Sequence, residues 1–456
     1  MKGIIVQTVS TDSSAKSYFV SISIIGMLFF IFGFVTWLNG SLIPFLKIAC
    51  ELNQAEAYLV SLAFYISYTV MALPMSAVLV KTGYKNGMVI GLLGMAVGAL
   101  IFIPAAHTRI YPVFLLGLFI MGAGLTILQT ASNPYVVAIG PRKTAAVRIS
   151  FMGVANKAAG ILSPLVFTAL MLNGISKYSD ANLKLLSPAQ RAVSFNQLAN
   201  RLVIPYLIMA VILVLLAAMV KFSSLPEISD NETVEGTKYG SEKTSILQFP
   251  GLILGAIALF FYVGVEVMAG DTIGLYGRTL GISFFGKLTS YTMSFMVIGY
   301  LAGIIAIPRL IKQETALVLS SSLGFIFSLC VLFSSPTNSE ISRILFSWIG
   351  ISSIPNSVLF VALLGFANAM VWPTIWPLAL DGLGKFTKIG SAILIMAIAG
   401  GAIIPPLYGL LSDTHSPQLS YWILLPCYFI IFLYAFKGHK LKSWKSTLVS
   451  EETFVK

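Results

Sequence analysis

The chain has 456 residues and a formal net charge of +12, and 57% of its residues are hydrophobic while only 10% are charged. Soluble domains carry about 25% charged residues, so this composition excludes an ordinary globular protein. The positive residues lie in short clusters between apolar stretches rather than along one amphipathic face. This distribution favours contact with the anionic headgroups of membrane lipid and argues against a nucleic-acid partner.

Apolar stretches long enough to cross a bilayer recur along the whole chain, because a helix needs about 20 residues to span the hydrocarbon core. Six are predicted in the first half, at 18–44, 57–80, 88–106, 111–139, 146–173 and 202–222. Six more are predicted at 250–274, 289–308, 315–334, 356–380, 390–411 and 420–437. The sequence therefore predicts an all-α membrane protein with twelve transmembrane helices in two six-helix bundles.

A polar stretch separates the two sets of spans and contains too little apolar surface to fold alone. Most lysines and arginines of the connections fall on the side of the membrane that would hold the chain termini. The positive-inside rule then places both termini and the central linker in the cytoplasm. The predicted segments are an N-terminal segment (1–17), a six-helix bundle (18–222), a linker (223–247), a second bundle (248–438) and a tail (439–456).

Polar side chains at membrane depth are costly and usually face a partner or a water-filled cavity. Amides beside aromatic rings suit a neutral polyhydroxylated ligand, because hydroxyls pair with amides while the apolar face of a sugar lies on an indole ring. The candidate sugar contacts are Trp37, Asn39, Gln129, Asn133, Asn156, Tyr262, Trp372 and Trp376. Hydrogen bonding between helices explains Gln129, Asn133 and Asn368 equally well, and packing explains the two tryptophans of the tenth span equally well.

Three charged residues of the spans are candidates for ion coupling. Lys157 lies nine residues beyond Arg148, which places it about 13 Å into a core about 30 Å thick; a salt bridge to an acid on another helix and a role in a cavity are both open. Glu266 lies deep in the seventh span, whereas Asp271 is close enough to its outer end to be solvated or paired with Arg278. No phosphate-binding loop, metal-binding histidine pair or nucleophile elbow occurs in the sequence, so we predict no enzyme activity, cofactor or metal site.

Five motifs are most informative when they are taken together: "FFIFGFVTWLNGSLIPFLK" (29–47), "LQTASNPYVVAIGP" (128–141), "YVGVEV" (262–267), "PTIWPLALDGLGK" (373–385) and "GGAIIPPLYGLLSD" (400–413). With them the chain resembles, from about residue 18 to 438, the fucose and glucose/galactose symporter family of the major facilitator superfamily. The resemblance implies two bundles that work by alternating access. It also implies import of a hexose or related monosaccharide across a bacterial inner membrane, by a protein that functions as a monomer.

The sequence departs from the family pattern at two places that concern coupling. The family has Leu-Asn-Asp in the first span, with the aspartate implicated in proton coupling; here Asn39 matches and Gly40 replaces the acid. Gln129 matches the glutamine often found in the glucose branch, where the fucose branch has glutamate. Asn156 matches a family asparagine, which the resemblance makes a sugar contact, and the residue after it, usually small, is Lys157.

Three explanations are open for the loss of the acid at position 40 and the presence of Lys157. Lys157 could be a fixed charge in a uniporter, or it could gain and lose a proton against Glu266 or Asp271 in each cycle, or one of these acids alone could couple transport to protons or sodium. Our hypothesis is the coupled importer. An exporter of amphipathic compounds and a non-transporting sugar sensor are the alternatives, since fold does not fix function; the first would accept many apolar substrates and the second would bind sugar without flux.

Overall fold

The computed structural model describes residues 11–138, 145–172, 174–178, 182, 186–223, 225, 244–307, 310–383 and 386–444. These residues form helices and no strand, and twelve helical segments are long and apolar enough to cross a membrane. The predicted all-α class and the twelve spans are confirmed. The spans are α1 (Phe19–Ala49), α2 (Gln54–Leu79), α3 (Lys81–Thr108), α4 (Tyr111–Ser132), α5 (Phe151–Met171), α6 (Pro188–Phe222), α7 (Pro250–Thr279), α8 (Phe285–Ala306), α9 (Gln313–Phe333), α10 (Asn356–Leu380), α11 (Ile389–Thr414) and α12 (Leu419–Lys440).

Several spans are longer or less regular than a single helix. The helix that contains α4 runs over Tyr111–Ala138, and the one that contains α5 runs over Ala145–Met171. Span α6 begins with a separate polar helix, Pro188–Asn200, before Val203–Phe222. Most of the predicted linker and of the predicted tail lies outside the described residues.

Three spans are interrupted near the middle of the membrane. α1 lies in two helices, Thr11–Trp37 and Asn39–Ala49, the first of which begins before the span, and α10 consists of Asn356–Asn368 and Val371–Leu380. In α10 the cause is Pro373, which has no N–H to donate to the carbonyl four residues earlier. In α11, a 3₁₀ turn separates two α-helices. Because backbone polar groups at membrane depth need partners, such breaks are tolerated where they are buried in protein or line a cavity.

The spans form two halves that meet along three helix pairs. Spans α1–α6 pack mainly on each other, as do α7–α12, and between the halves α1 contacts α7, α2 contacts α11 and α5 contacts α8. Glycine allows the closest approach: a Cβ on Gly40 of α1 would lie 2.7 Å from the carbonyl oxygen of Gly270 in α7 and would also meet Thr289 of α8. Since each half has six spans, the start of α1 and the end of α12 lie on one face, here named the termini face, and α1 ends at the opposite, distal face.

Hydrogen bonds join the halves on the distal side. They are named the distal seal, and they close the space between the halves towards the distal face. The distal seal consists of Ser41 Oγ donating to Gly286 O (2.7 Å), Ser61 Oγ to Asp271 Oδ2 (2.8 Å), Ser290 Oγ to Ile161 O (2.7 Å), and the N–H groups of Gln54 and Ala55 to the carboxylate of Asp413 (3.0 and 2.9 Å).

Candidate functional site

A cavity of about 160 Å³ lies between the two halves, on the termini side of the distal seal. It receives side chains from both halves and extends to Ile149, which is 37% exposed near the start of the α5 helix. A cavity lined by aromatic side chains and a few polar groups is typical of a small-molecule binding site. Its aromatic lining comprises Phe29, Phe32, Trp37, Tyr65, Tyr68, Tyr262, Tyr300 and Trp372.

A salt bridge connects the halves inside this cavity. Lys157 Nζ on α5 lies 2.8 Å from Glu266 Oε1 on α7, and the two side chains are only 9% and 12% exposed. The ammonium group also lies 4.3 Å from the ring centroid of Trp37, a cation–π distance. Two charges at membrane depth are tolerated when each is the partner of the other. The salt bridge to an acid of another helix, one of the two predictions for Lys157, is therefore present.

Two amides of the cavity are held by hydrogen bonds within their own half. Gln129 Nε2 donates to Tyr68 Oη (3.1 Å), and Asn156 Nδ2 donates to the backbone oxygen of Phe29 (3.3 Å). Both amides line the cavity, and neither amide oxygen accepts a hydrogen bond from any residue the structure describes. The cavity therefore offers two fixed amide groups that can accept hydroxyl hydrogens.

The predicted tryptophan pair lies at one wall of the cavity. Trp372 lines it, with its ring centroid 6.4 Å from that of Tyr262, while Trp376 stacks behind Trp372 at 5.2 Å and 25° and is not part of the lining. Trp376 thus orients Trp372 rather than facing the cavity in this conformation. Asn133 belongs to the Tyr111–Ala138 helix, but its side chain is outside the described residues.

Two further predicted residues lie away from the cavity. Asn39 is 1% exposed and Asp271 is fully buried, and neither lines the cavity. The expectation that Asp271 is solvated or paired with Arg278 is wrong: its Oδ2 accepts a hydrogen bond from Ser61 Oγ. The physical reason is that α1 packs on this part of α7 through Gly40 and that α2 brings Ser61 to it, which excludes water.

The sequence prediction missed three tyrosines of the lining, Tyr65, Tyr68 and Tyr300. Tyr65 and Tyr68 are three residues apart and therefore share a face of α2, but packing residues have the same spacing. The hydroxyl of Tyr65 and the indole N–H of Trp37 are buried without a hydrogen-bond partner in the described part of the chain. Both are donors that a hydroxylated ligand could satisfy.

A larger depression of about 490 Å³ lies at the distal surface, beyond the distal seal. Its charged lining includes Glu51, which pairs with Arg191 at 2.8 Å and with Arg109 at 3.4 Å. None of the candidate sugar-binding or ion-coupling residues lines it. The central cavity, which does collect them, is therefore the candidate site.

Comparison with known proteins defines the class of this molecule. A family model described as Major Facilitator Superfamily matches residues 25–401, so the chain belongs to the major facilitator superfamily, a class of multi-pass membrane transporters. The glucose/galactose transporter of Brucella abortus is 32% identical over 433 residues, which is 94% of this chain and 96% of the relative. The L-fucose-proton symporter of Escherichia coli is 29% identical over 92% of this chain and 93% of its own length.

A solved structure agrees with this assignment. The crystal structure of the transporter FucP in the outward conformation superposes with a TM-score of 0.69 and 26% identity, covering 92% of this chain and 98% of that chain. The resemblance to the fucose and glucose/galactose symporters within the superfamily is thereby confirmed. Since these relatives are named as transporters, the expectation that the chain is not an enzyme is confirmed as well.

Proposed function

We propose that this protein imports a hexose or a related monosaccharide across a bacterial inner membrane, by alternating access and coupled to a cation gradient. The observation that carries the proposal is the cavity between the halves, with aromatic walls, fixed amides and one charge pair. The names of the relatives, glucose/galactose transporter and L-fucose-proton symporter, support the substrate class and favour the proton over sodium. In this proposal the chain acts as a monomer surrounded by lipid, with its termini face in the cytoplasm.

The sugar would bind through hydroxyl contacts and ring stacking. Gln129 and Asn156 accept hydroxyl hydrogens, the Tyr65 hydroxyl supplies a further contact, and Trp372 takes the apolar face of the ring. Asn39 and Asn133 remain proposed contacts for another stage of the cycle, and Trp376 supports Trp372 from behind.

The charge pair would sense whether sugar is present. Lys157 belongs to one half and Glu266 to the other, so their bond contributes to holding the halves in this arrangement. A sugar hydroxyl bonded to Glu266 competes with the ammonium group for the carboxylate. Two observations support alternating access. The distal seal is closed in this chain, whereas the similar transporter FucP is described in the outward conformation.

The test is transport by the purified protein in proteoliposomes. Counterflow of labelled glucose, galactose, mannose, fucose and N-acetylglucosamine identifies the substrate, and its uptake is then measured with an imposed proton gradient, a sodium gradient or neither. We expect exchange of one of these sugars and its accumulation above equilibrium with a cation gradient. Lys157→Ala should keep counterflow and lose accumulation, whereas Lys442→Ala, which removes an exposed lysine paired with Asp381 at 2.7 Å, should keep both.

The other outcomes separate the alternatives. Flux that only equilibrates under every gradient would identify a uniporter in which Lys157 is a fixed charge. Sugar binding without exchange would identify a sensor, and efflux of many amphipathic compounds would identify an exporter. If none of the sugars binds or exchanges, the monosaccharide assignment is wrong.

A further inference from the structure

Asp271 is an acid at the boundary between the two halves, away from the cavity. It lies five residues beyond Glu266 on α7, which is about 7.5 Å farther towards the distal face. Its exposed fraction is 0%. One carboxylate oxygen accepts the Ser61 hydroxyl from α2, in the other half, and the second oxygen has no partner among the residues that the structure describes.

No positive charge faces this carboxylate within the part of the chain that the structure describes. Among the described residues no lysine, arginine or histidine lies within 4 Å of it, and Ser61 is its one polar side-chain partner. The neighbouring segment of α1 brings Gly40, which packs on the Gly270 carbonyl and adds no polar side chain, and α8 contributes the hydroxyl of Thr289. The titratable side chains of the surrounding elements are Tyr58 and Tyr65 on α2, Tyr408 on α11, Tyr421 on α12, and Glu266 on α7 itself.

This environment can hold a protonated carboxyl group but not a charged one. An ionised carboxylate buried without a counter-charge is strongly disfavoured, whereas a neutral carboxyl that keeps the Ser61 hydrogen bond carries only the smaller penalty of one unpaired polar atom. The closed arrangement of the halves therefore requires a proton on Asp271. When α2 separates from α7, the Ser61 contact is lost and water reaches the carboxyl group. The charged form is then stabilised by solvation.

We infer that protonation of Asp271 is the condition for closing the distal face, so that the acid acts as a positioning residue that ties the closed state to a proton taken up from the distal side. This inference rests on the proposed alternating-access transport and adds a protonation condition to one of its steps, the closing of the distal face. The closed state holds one proton more than the open state. Lowering the pH therefore favours closure, and raising it favours opening, by up to about tenfold in the closed-to-open ratio per pH unit.

The test measures closure directly, without sugar. Spin labels are attached to Ala192→Cys and His415→Cys, two exposed distal positions in different halves, after replacement of the native cysteines. The distance between the labels is recorded by pulsed electron resonance from pH 5 to 9 in lipid nanodiscs. We expect the short-distance population to dominate at low pH and to decline as the pH rises.

The variants identify the responsible group. Asp271→Asn keeps the shape and the acceptor for Ser61 and cannot ionise, so its closed population should be independent of pH. Asp413→Asn, which changes the exposed acid of the distal seal, should keep the wild-type slope. A wild-type protein with no pH response, or an Asp271→Asn protein with the wild-type response, would overturn the inference. Counterflow is measured in parallel; failure of all sugars to exchange would reject the proposed substrate while leaving the pH result to decide on Asp271.

Discussion

Gly40→Ala should disfavour closure of the distal face. The added Cβ would meet Thr289 Oγ1 and would lie 2.7 Å from the Gly270 carbonyl oxygen, about 0.7 Å short of the 3.4 Å at which ordinary van der Waals contact begins. The Gly270 oxygen already accepts the Thr289 hydroxyl at 2.7 Å, so both neighbours are fixed to each other. Because the Gly270 carbonyl belongs to the backbone, it cannot rotate away from the new methyl group as a flexible side chain would. α1 and α7 must therefore move apart.

The size of the effect follows from the cost of overpacking. Inserting a methyl group into a well-packed interface costs about 1–3 kcal/mol. Here the cost applies only to the closed state, because the two helices separate when the distal face opens. A difference of this size shifts the closed-to-open ratio by about 5–150-fold.

The labels at positions 192 and 415 measure this shift at a fixed low pH. Gly40→Ala should move population from the short to the long distance and lower both counterflow and uptake. Gly26→Ala adds the same methyl group to α1 where the nearest atom is Met152 Cε at 3.8 Å, and it should behave as wild type. A folded Gly40→Ala protein with the wild-type distance distribution would refute the reasoning.

Four further outcomes are expected. Lys157→Met should destabilise the fold by about 3 kcal/mol, because it leaves the Glu266 charge unpaired, and should therefore lower the unfolding temperature. The double variant Lys157→Met/Glu266→Gln should recover much of the lost stability; equal losses in both proteins would contradict the pairing. Trp372→Ala should weaken sugar affinity in counterflow by up to about tenfold, with Trp372→Phe intermediate; an unchanged half-saturation value would exclude stacking. Asp413→Asn should favour the open state by about two- to fivefold, because a charge at the first turn of α2 is lost. Burial raises the pKa of the Cys50 thiol to about 11, so maleimide labelling there should be slow at neutral pH and speed up as the pH rises towards 11; fast labelling at pH 7 would disagree.

The twelve spans could be predicted because an apolar run of about 20 residues has one stable form in a bilayer. Their ends were harder to place. The first span was predicted to end at 44, yet α1 continues to Ala49 and includes Lys47, whose long side chain can reach the interface. The polar helix Pro188–Asn200 was missed because it has no hydropathy signal, although Ser187 and Gln190 form a capping box at its start.

The candidate site was partly predictable. Since charges at membrane depth usually have a partner, an acid was expected near Lys157, but the sequence does not indicate whether Glu266 or Asp271 lies opposite it. The burial of Asp271 depends on α2 bringing Ser61 to α7 across the bundle boundary, a contact between residues 210 positions apart that no local pattern encodes. The lining tyrosines, such as Tyr65, could not be distinguished from core aromatic residues, because the contacts that form the cavity also join residues far apart in the sequence.

The salt bridge of the cavity also has an electrical consequence. A bare lysine that crossed the whole field of the membrane would respond to voltage by about 2.3 kcal/mol for every 100 mV. Lys157 and Glu266 bring one charge of each sign 2.8 Å apart, so the pair has no net charge. When the empty protein turns its cavity from one face to the other in the proposed cycle, this pair moves no net charge through the field and adds no voltage dependence to the return step. In the proposed coupled import, voltage then acts through the cation that accompanies the sugar.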